Sequence, residues 1–353
     1  MDFSKHHPST HGHQDWSTNW GMVGHHWAVE HLALAVAHDR FRQAYLIAGP
    51  ASVGKLALAR NFARALNCTA PTGRPCGKCR ACHLIATDAH ADVSIIRPEG
   101  STFKIDQIRE MVARIALRPV EARTRVVILD DFNKAQGPAQ DALLKTLEEP
   151  PTDAVLLLIT DRMESMLPTI RSRCQPIVLR PVPAGEIRAE LEQRGLEAEQ
   201  AALLAQLSEG RLGWALKAAA EPRILENRNQ ALLVMEQLIG ADSASRFQFA
   251  EQAAQAMQKD KDALLELCSY WFGYWRDVLL LVTGARHPIA NRDHRHALEQ
   301  LAASLHTDQV HGVLKALERT RRYLLENSHA RLTLEVLMLD LPHVTLLAAP
   351  PGQ

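Results

Sequence analysis

Ala44-Tyr45-Leu46-Ile47-Ala48-Gly49-Pro50-Ala51-Ser52-Val53-Gly54-Lys55-Leu56 is the stretch on which the reading of the fold turns. An apolar strand runs into a Gly-containing turn, and the apolar positions Leu58, Ala59, Phe62, Ala63 and Leu66 then continue as a helix. Strand, turn and helix in that order make a phosphate cradle. Backbone N–H groups and a helix N-terminus face the anion, and Lys55 adds a point charge. Gly49, Ser52, Val53, Gly54, Lys55 and Leu56 are therefore candidate nucleotide-binding residues. One position departs from the pattern: the motif ends in Ser or Thr, whose hydroxyl ligates the Mg²⁺ of bound nucleotide, and Leu56 has no atom that can do so. ATP or ADP is the candidate ligand, with Mg²⁺ binding in doubt.

Working outward, a chain of 353 residues exceeds one ordinary core, so two or three domains are expected. No apolar run approaches the roughly 20 residues of a membrane span, and the first residues hold no apolar signal core. These features place the protein in the cytoplasm, with no membrane partner. Lys plus Arg and Asp plus Glu number 40 each, so the chain lacks the charge of a freestanding nucleic-acid binder.

Residues 1–20 are polar and carry His6, His7, His11 and His13, and are expected to be a disordered tail. An amphipathic helix is predicted over His25 to His38. After the cradle helix comes Cys68, followed by Cys76-Gly77-Lys78-Cys79-Arg80-Ala81-Cys82. Two overlapping C-x-x-C steps and an upstream fourth Cys suit a closed tetrahedral zinc site that is structural rather than catalytic. The alternative, four reduced thiols without metal, leaves a Cys-rich loop with little to hold it folded. Cys174 and Cys268 stand alone and read as small buried hydrophobes.

Val93 to Ile96 reads as a strand, and Ile105, Ile108, Met111, Val112 and Ile115 mark the inner face of a helix. Arg125 to Leu129 is a second apolar strand, followed by Asp130 and Asp131. In a nucleotide site the first acid holds Mg²⁺ through water and the second polarises the attacking water. Ala139, Leu143, Leu144 and Leu147 form a helix stopped by Pro150 and Pro151, and Ala154 to Ile159 is a further strand bounded by Thr160. A last strand is predicted over Ile177 to Leu179. Strands alternating with helices indicate a mostly parallel sheet with helices on both faces. Beyond Pro181 and Pro183 the pattern is helical, with a second boundary near Glu221-Pro222. The aromatic run Tyr270, Trp271, Phe272, Tyr274 and Trp275 reads as helix core.

Gly49 to Lys55, the four-Cys insert, Leu143-Leu144-Lys145-Thr146-Leu147-Glu148-Glu149-Pro150-Pro151 and Thr169-Ile170-Arg171-Ser172-Arg173-Cys174 together resemble the AAA+ subunits of the bacterial DNA polymerase III sliding-clamp loader. The resemblance is strong over roughly residues 20 to 220. It implies a P-loop AAA+ domain at 21–180 with a zinc module at about 67–85, a helical lid domain at 181–221 and a C-terminal helical collar domain at 222–353. It also implies a hetero-pentamer with gamma/tau and delta subunits, acting on the sliding clamp and primer-template DNA.

Among members of that family, three departures point to the delta-prime type rather than the gamma/tau ATPase. These are Leu56, Asp131 where the ATPase has Glu, and Gly213 where gamma-type lids carry an Arg, with Arg211 two residues away. A retracted base is a poor base, since proton transfer requires hydrogen-bond reach. The resemblance gives Arg173 the role of a finger acting in trans on a neighbour's ATP, and Thr160 that of a phosphate sensor. It implies little or no ATP hydrolysis by the chain itself. The competing readings are a gamma/tau-type ATPase with a variant loop and, from another class, a zinc-dependent nucleic-acid-binding module.

Overall fold

The computed structural model describes residues 20–346 apart from 101, 258, 259, 287 and 326–328. The histidine-rich segment expected to be disordered lies outside the described residues but for its last position. Two compact units divide the chain, Met1–Leu216 and Lys217–Gln353.

The first unit is built on a five-stranded sheet of β1 (Ala44–Ala48), β2 (Val93–Ile96), β3 (Arg125–Leu129), β4 (Ala154–Thr160) and β5 (Gln175–Val178), in the order β2-β3-β4-β1-β5. All neighbours are parallel, with Leu46 opposite Leu158 and Ala48 opposite Thr160. The central strands β1 and β4 are buried along their whole length, which explains why they read as continuous apolar runs and not as alternating ones. Parallel strands need crossovers, and helices supply them: α1 (His26–Ala37), α2 (Lys55–Asn67), α3 (Arg80–Ala86), α4 (Ile105–Ile115), α5 (Gly137–Glu148) and the single turn α6 (Pro168–Arg171).

The pleat divides these helices between the faces. Leu46, Leu129, Leu156 and Leu158 meet Ile108, Met111 and Ile115 of α4 and Leu143 and Leu147 of α5 in one core. Tyr45 points the other way, edge-on to Phe62 of α2 with ring centroids 5.1 Å apart. Each such large apolar side chain contributes about 1.5–3 kcal/mol on burial. Strand β5 begins at Gln175, two residues before the predicted start. Pairing with β1 starts opposite Tyr45, and an edge strand tolerates Pro176.

After the sheet come α7 (Ala184–Gln193), α8 (Ala198–Leu207) and α9 (Leu212–Ala220), in which Ile187, Leu191, Leu204 and Ala215 are buried. The second unit is helical: α10 (Arg223–Gly240), α11 (Ser243–Met257), α12 (Lys261–Val282), α13 (Arg295–Ser304), α14 (Thr307–Leu325) and α15 (Ala330–Asp340). Trp271, Tyr274 and Trp275 of α12 are buried at its centre, while Phe272 is exposed. No helix among the described residues is long and apolar enough to cross a membrane.

Two buried charges fix the loops of these units. The Asp92 carboxylate accepts from the backbone N–H groups of Val120, Glu121 and Ala122 and from Arg125 Nη2 at 2.7 Å. Burial alone would raise its pKa, but the amides and the guanidinium outweigh burial and hold it below the ordinary carboxylate value. In the second unit Arg246 has no carboxylate partner among the described residues. Its five N–H groups donate to the carbonyls of Leu238 and Ile239 near the end of α10, and of Met338, Leu341 and Pro342 at the end of α15. Helix C-termini leave carbonyls unpaired and carry partial negative charge, so one guanidinium satisfies two helix ends.

Arg246→Met should cost about 2–4 kcal/mol in denaturant unfolding by leaving these carbonyls unpaired, and Arg246→Lys, with three donors, should restore only part of the loss. For Asp92, the depressed pKa makes its stabilisation fully present above the unfolded-state value of about 4 and lost as pH falls through the lower folded value. The stability gap between the native protein and Asp92→Asn should therefore hold constant near neutrality and narrow below about pH 4.

Candidate functional site

At the carboxyl edge of the sheet the chain leaves β1 through Gly49, whose N–H donates to the Thr160 carbonyl at 3.2 Å. Gly49 has φ +151°, and a β-carbon there would lie 2.6 Å from the Leu179 carbonyl oxygen, so the turn requires glycine. Ser52 takes a left-handed conformation with φ 60°, and α2 begins at Lys55 behind Gly54. Lys55 is buried and its Nζ donates to the carbonyls of Gly49 and Pro50, each at 2.7 Å. Burial lowers its pKa, opposed by the carboxylates of Asp161, Asp131 and Asp130. Leu56 is half-buried and brings no polar atom to the loop.

The two acids after β3 lie beyond the strand end. Burial, reinforced by neighbouring Asp131, raises the pKa of Asp130, against the pull of Arg97, whose Nε is 3.2 Å from Asp130 Oδ2. Asp131 is exposed, left-handed at φ 57°, and paired with Lys134 at 3.2 Å. Thr160 Oγ1 donates to the Arg162 carbonyl and accepts from the Arg162 N–H, so its hydroxyl caps the turn after β4. The structure thus gathers Lys55, Asp130, Asp131 and Thr160 around one strand edge, with each polar group engaged by a protein partner.

The start of α9 closes against this loop. Gly213 N donates to the Ser52 carbonyl at 2.8 Å, and a β-carbon on Gly213 would stand 2.9 Å from the same oxygen. No side chain fits at position 213 without moving the loop. Arg211 is turned aside, donating to the Ser208 carbonyl with its guanidinium over the Trp214 ring. His25 completes the loop's surroundings; its ring Nε2 donates to the Val53 carbonyl at 3.1 Å, and burial lowers its pKa. No sequence pattern marks His25, because its partner is 28 residues away.

The four cysteines of the insert converge. Cys68 directly follows α2, Cys79 precedes α3 and accepts from the Cys82 N–H, and all four Sγ atoms lie within 4.8 Å of one another. Tetrahedral coordination with Zn–S bonds of about 2.3 Å needs sulfurs about 3.8 Å apart, and Cys79 and Cys68 are 4.0 Å apart. Burial pushes the Cys82 thiol up to about 12 and raises Cys68 as well. Against burial, hydrogen bonds from Thr69 and Cys82 bring Cys79 down to about 6, and amides of Lys78 and Cys79 lower Cys76. The donor set fits a metal ion that favours thiolate.

Arg173 lies on the surface of the first unit, far along the chain from the loop. Its Nη2 donates to Glu148 Oε1 at 2.6 Å, and its Nη1 to the Thr169 carbonyl at 3.1 Å. The next residue, Cys174, is buried with Ile170 in the core, which anchors the turn that carries Arg173.

The family model described as "DNA polymerase III, delta subunit" matches residues 24–183, and that described as "DNA polymerase III, delta subunit, C terminal" matches residues 226–343. The chain belongs to the DNA polymerase III clamp-loader family. Similar proteins include the DNA polymerase III subunit delta' of Bacillus subtilis, 27% identical over 290 residues, which span 81% of this chain and 87% of that protein. The delta' subunit of Pseudomonas aeruginosa is 38% identical over 167 residues, 46% of this chain and 51% of that protein. The gamma/tau subunit of Mycobacterium tuberculosis is 35% identical over 186 residues, 51% of this chain and 32% of that protein. The chain thus spans from about a third to about half of the length of the latter two relatives. Among solved structures, a gamma subunit-related protein of Thermotoga maritima aligns with a TM-score of 0.45 and 18% identity, covering 87% of this chain and 97% of that one.

If the cysteines act as one tetrahedral site, purified protein reconstituted with Co²⁺ should show thiolate charge-transfer and tetrahedral ligand-field absorption at one ion per chain. Cys79→Ser should weaken both, and a spectrum unchanged by that substitution would exclude Cys79 from the ligand set.

Proposed function

We propose that this chain is a delta-prime-type clamp-loader subunit that hydrolyses little or no ATP itself and supplies Arg173 to nucleotide held by a neighbouring gamma/tau-type subunit. The observation that carries the reading is the approach of Gly213 to Ser52. The position from which a lid arginine would reach the phosphates has no room for a side chain and is hydrogen-bonded to the phosphate loop instead. Leu56 removes the Mg²⁺ hydroxyl, Asp131 is paired with Lys134, and Lys55 is satisfied by loop carbonyls. Each weakens a different component of phosphoryl transfer: metal, water activation and phosphate neutralisation.

Arg173 retains what this site has lost. An exposed guanidinium at a subunit surface stabilises charge developing on a transferring phosphoryl group, and such fingers contribute roughly 10³- to 10⁵-fold in rate where supplied to other NTPases. Cys68, Cys76, Cys79 and Cys82 would hold Zn²⁺, whose closed coordination ties the end of α2 to the start of α3 and has no catalytic role. Residues 21–180, 181–221 and 222–353 would serve as nucleotide module, lid and collar. The partners are gamma/tau and delta subunits in a hetero-pentamer in the cytoplasm, which reaches the sliding clamp and primed DNA as an assembly.

In a loader reconstituted with Arg173→Ala, DNA-stimulated hydrolysis should fall by at least the share of one ATPase site while assembly is retained. Unchanged turnover would reject the trans role. The isolated chain should show no steady-state ATP hydrolysis at saturating ATP and DNA; robust turnover abolished by Lys55→Ala would instead favour the gamma/tau-type reading. Salt-sensitive DNA binding by the isolated chain, lost on chelation, would favour the zinc-dependent nucleic-acid module.

A further inference from the structure

The geometry points to Glu148 as the positioning residue for Arg173, holding the guanidinium in the orientation from which it meets an anion on a neighbouring subunit. The inference rests on the trans role of Arg173 and concerns how this chain prepares that side chain.

Three acceptors engage the guanidinium. Glu148 Oε1 takes one N–H of Nη2, while Nη1 faces the Thr169 carbonyl and, at 3.4 Å, Ser172 Oγ. Ser172 Oγ itself donates to the Thr169 carbonyl at 3.0 Å, which fixes the hydroxyl and with it the second contact to Arg173. A guanidinium has five N–H groups, so this hold leaves Nε–H and one Nη2–H for a ligand, the number needed for a bidentate contact with phosphate oxygens. Two of the acceptors come from the turn that carries Arg173 itself. Glu148 alone comes from elsewhere in the chain, 25 residues away on α5, and is the one that carries charge.

Glu148 is poorly placed for stability. It is the last residue of α5, where aligned peptide dipoles leave partial negative charge and favour a cation. It is exposed, as is Arg173, and exposed ion pairs add little to folding. An acid at this helix end therefore has its main consequence through its partner: it limits the rotamers of a long, flexible side chain whose function depends on placement. Pro150 and Pro151 stop the helix just beyond it, and Leu147 is buried in the same core as Ile170 and Cys174. The two ends of the ion pair are thus anchored in one packed layer.

The test uses the full loader reconstituted with four forms of this chain: native, Glu148→Ala, Arg173→Ala and the double variant. Glu148→Ala is expected to lower the Arg173-dependent part of DNA-stimulated kcat by about two- to fivefold, the worth of one exposed charged contact, with KM for ATP unchanged. In the Arg173→Ala background it should have no further effect, and Glu148→Gln, which keeps the acceptor oxygen, should recover most of the loss. Equal losses in both backgrounds, a change confined to KM, a rise in turnover, or impaired assembly of Glu148→Ala by size-exclusion chromatography would overturn the proposal. If Arg173→Ala alone changes nothing, the trans role itself falls. If Arg173→Ala is impaired and Glu148→Ala is not, only the positioning role falls.

Discussion

The parallel pairing of β1 between β4 and β5 is the constraint on which the first unit depends. It places the Gly49 N–H against the Thr160 carbonyl and the Leu179 N–H against the Ala48 carbonyl, at 3.2 and 2.7 Å. Because every strand points the same way, the Gly49–Lys55 loop, the acids after β3 and the turn after β4 collect at one edge. The turn that leads into β5 lies at the opposite edge, and it carries Arg173, two residues before the strand. One topological choice therefore separates a cradle at one end of the sheet from a surface cation at the other.

The two ends differ in how their polar groups are used. At the cradle, Lys55, Asp131, Thr160 and Gly213 are each satisfied from within the first unit, so an incoming nucleotide would compete with established hydrogen bonds. Intramolecular hydrogen bonds are individually modest, but a buried lysine and a backbone-to-backbone contact without room for a side chain act together. At Arg173 the hold is looser and solvent-facing, which leaves donors available. That contrast is what the proposed role, a subunit that hydrolyses little ATP beside one that does, requires of it.

How much of this was legible in the sequence depended on whether the signal was local. The buried parallel strands announced themselves as unbroken apolar runs, as in Val126 to Leu129, and the cysteine spacing determined which four thiols meet. Strand β5 was placed two residues late because Gln175 and Pro176 have no apolar signature and their pairing is set by β1. The Gly213–Ser52 contact, the Asp92 loop anchor and the His25–Val53 bond were invisible, since each joins groups far apart in sequence through a backbone atom that no residue letter encodes. Glu148 stood within the most specific stretch of the chain, yet its partner became evident only when α5 and the turn before β5 were brought together.

Arg246 carries a consequence for how this protein tolerates change. With all five N–H groups committed to carbonyl oxygens up to 96 residues away, the site matches the one side chain that has that many donors in a fixed plane. A saturation screen scored by folded yield would mark position 246 as intolerant, although it is buried and lies far in sequence from Arg173 and from the Gly49–Lys55 loop. Intolerance at that position measures architecture, whereas intolerance at Arg173, exposed and outside the core, would measure the role proposed for it.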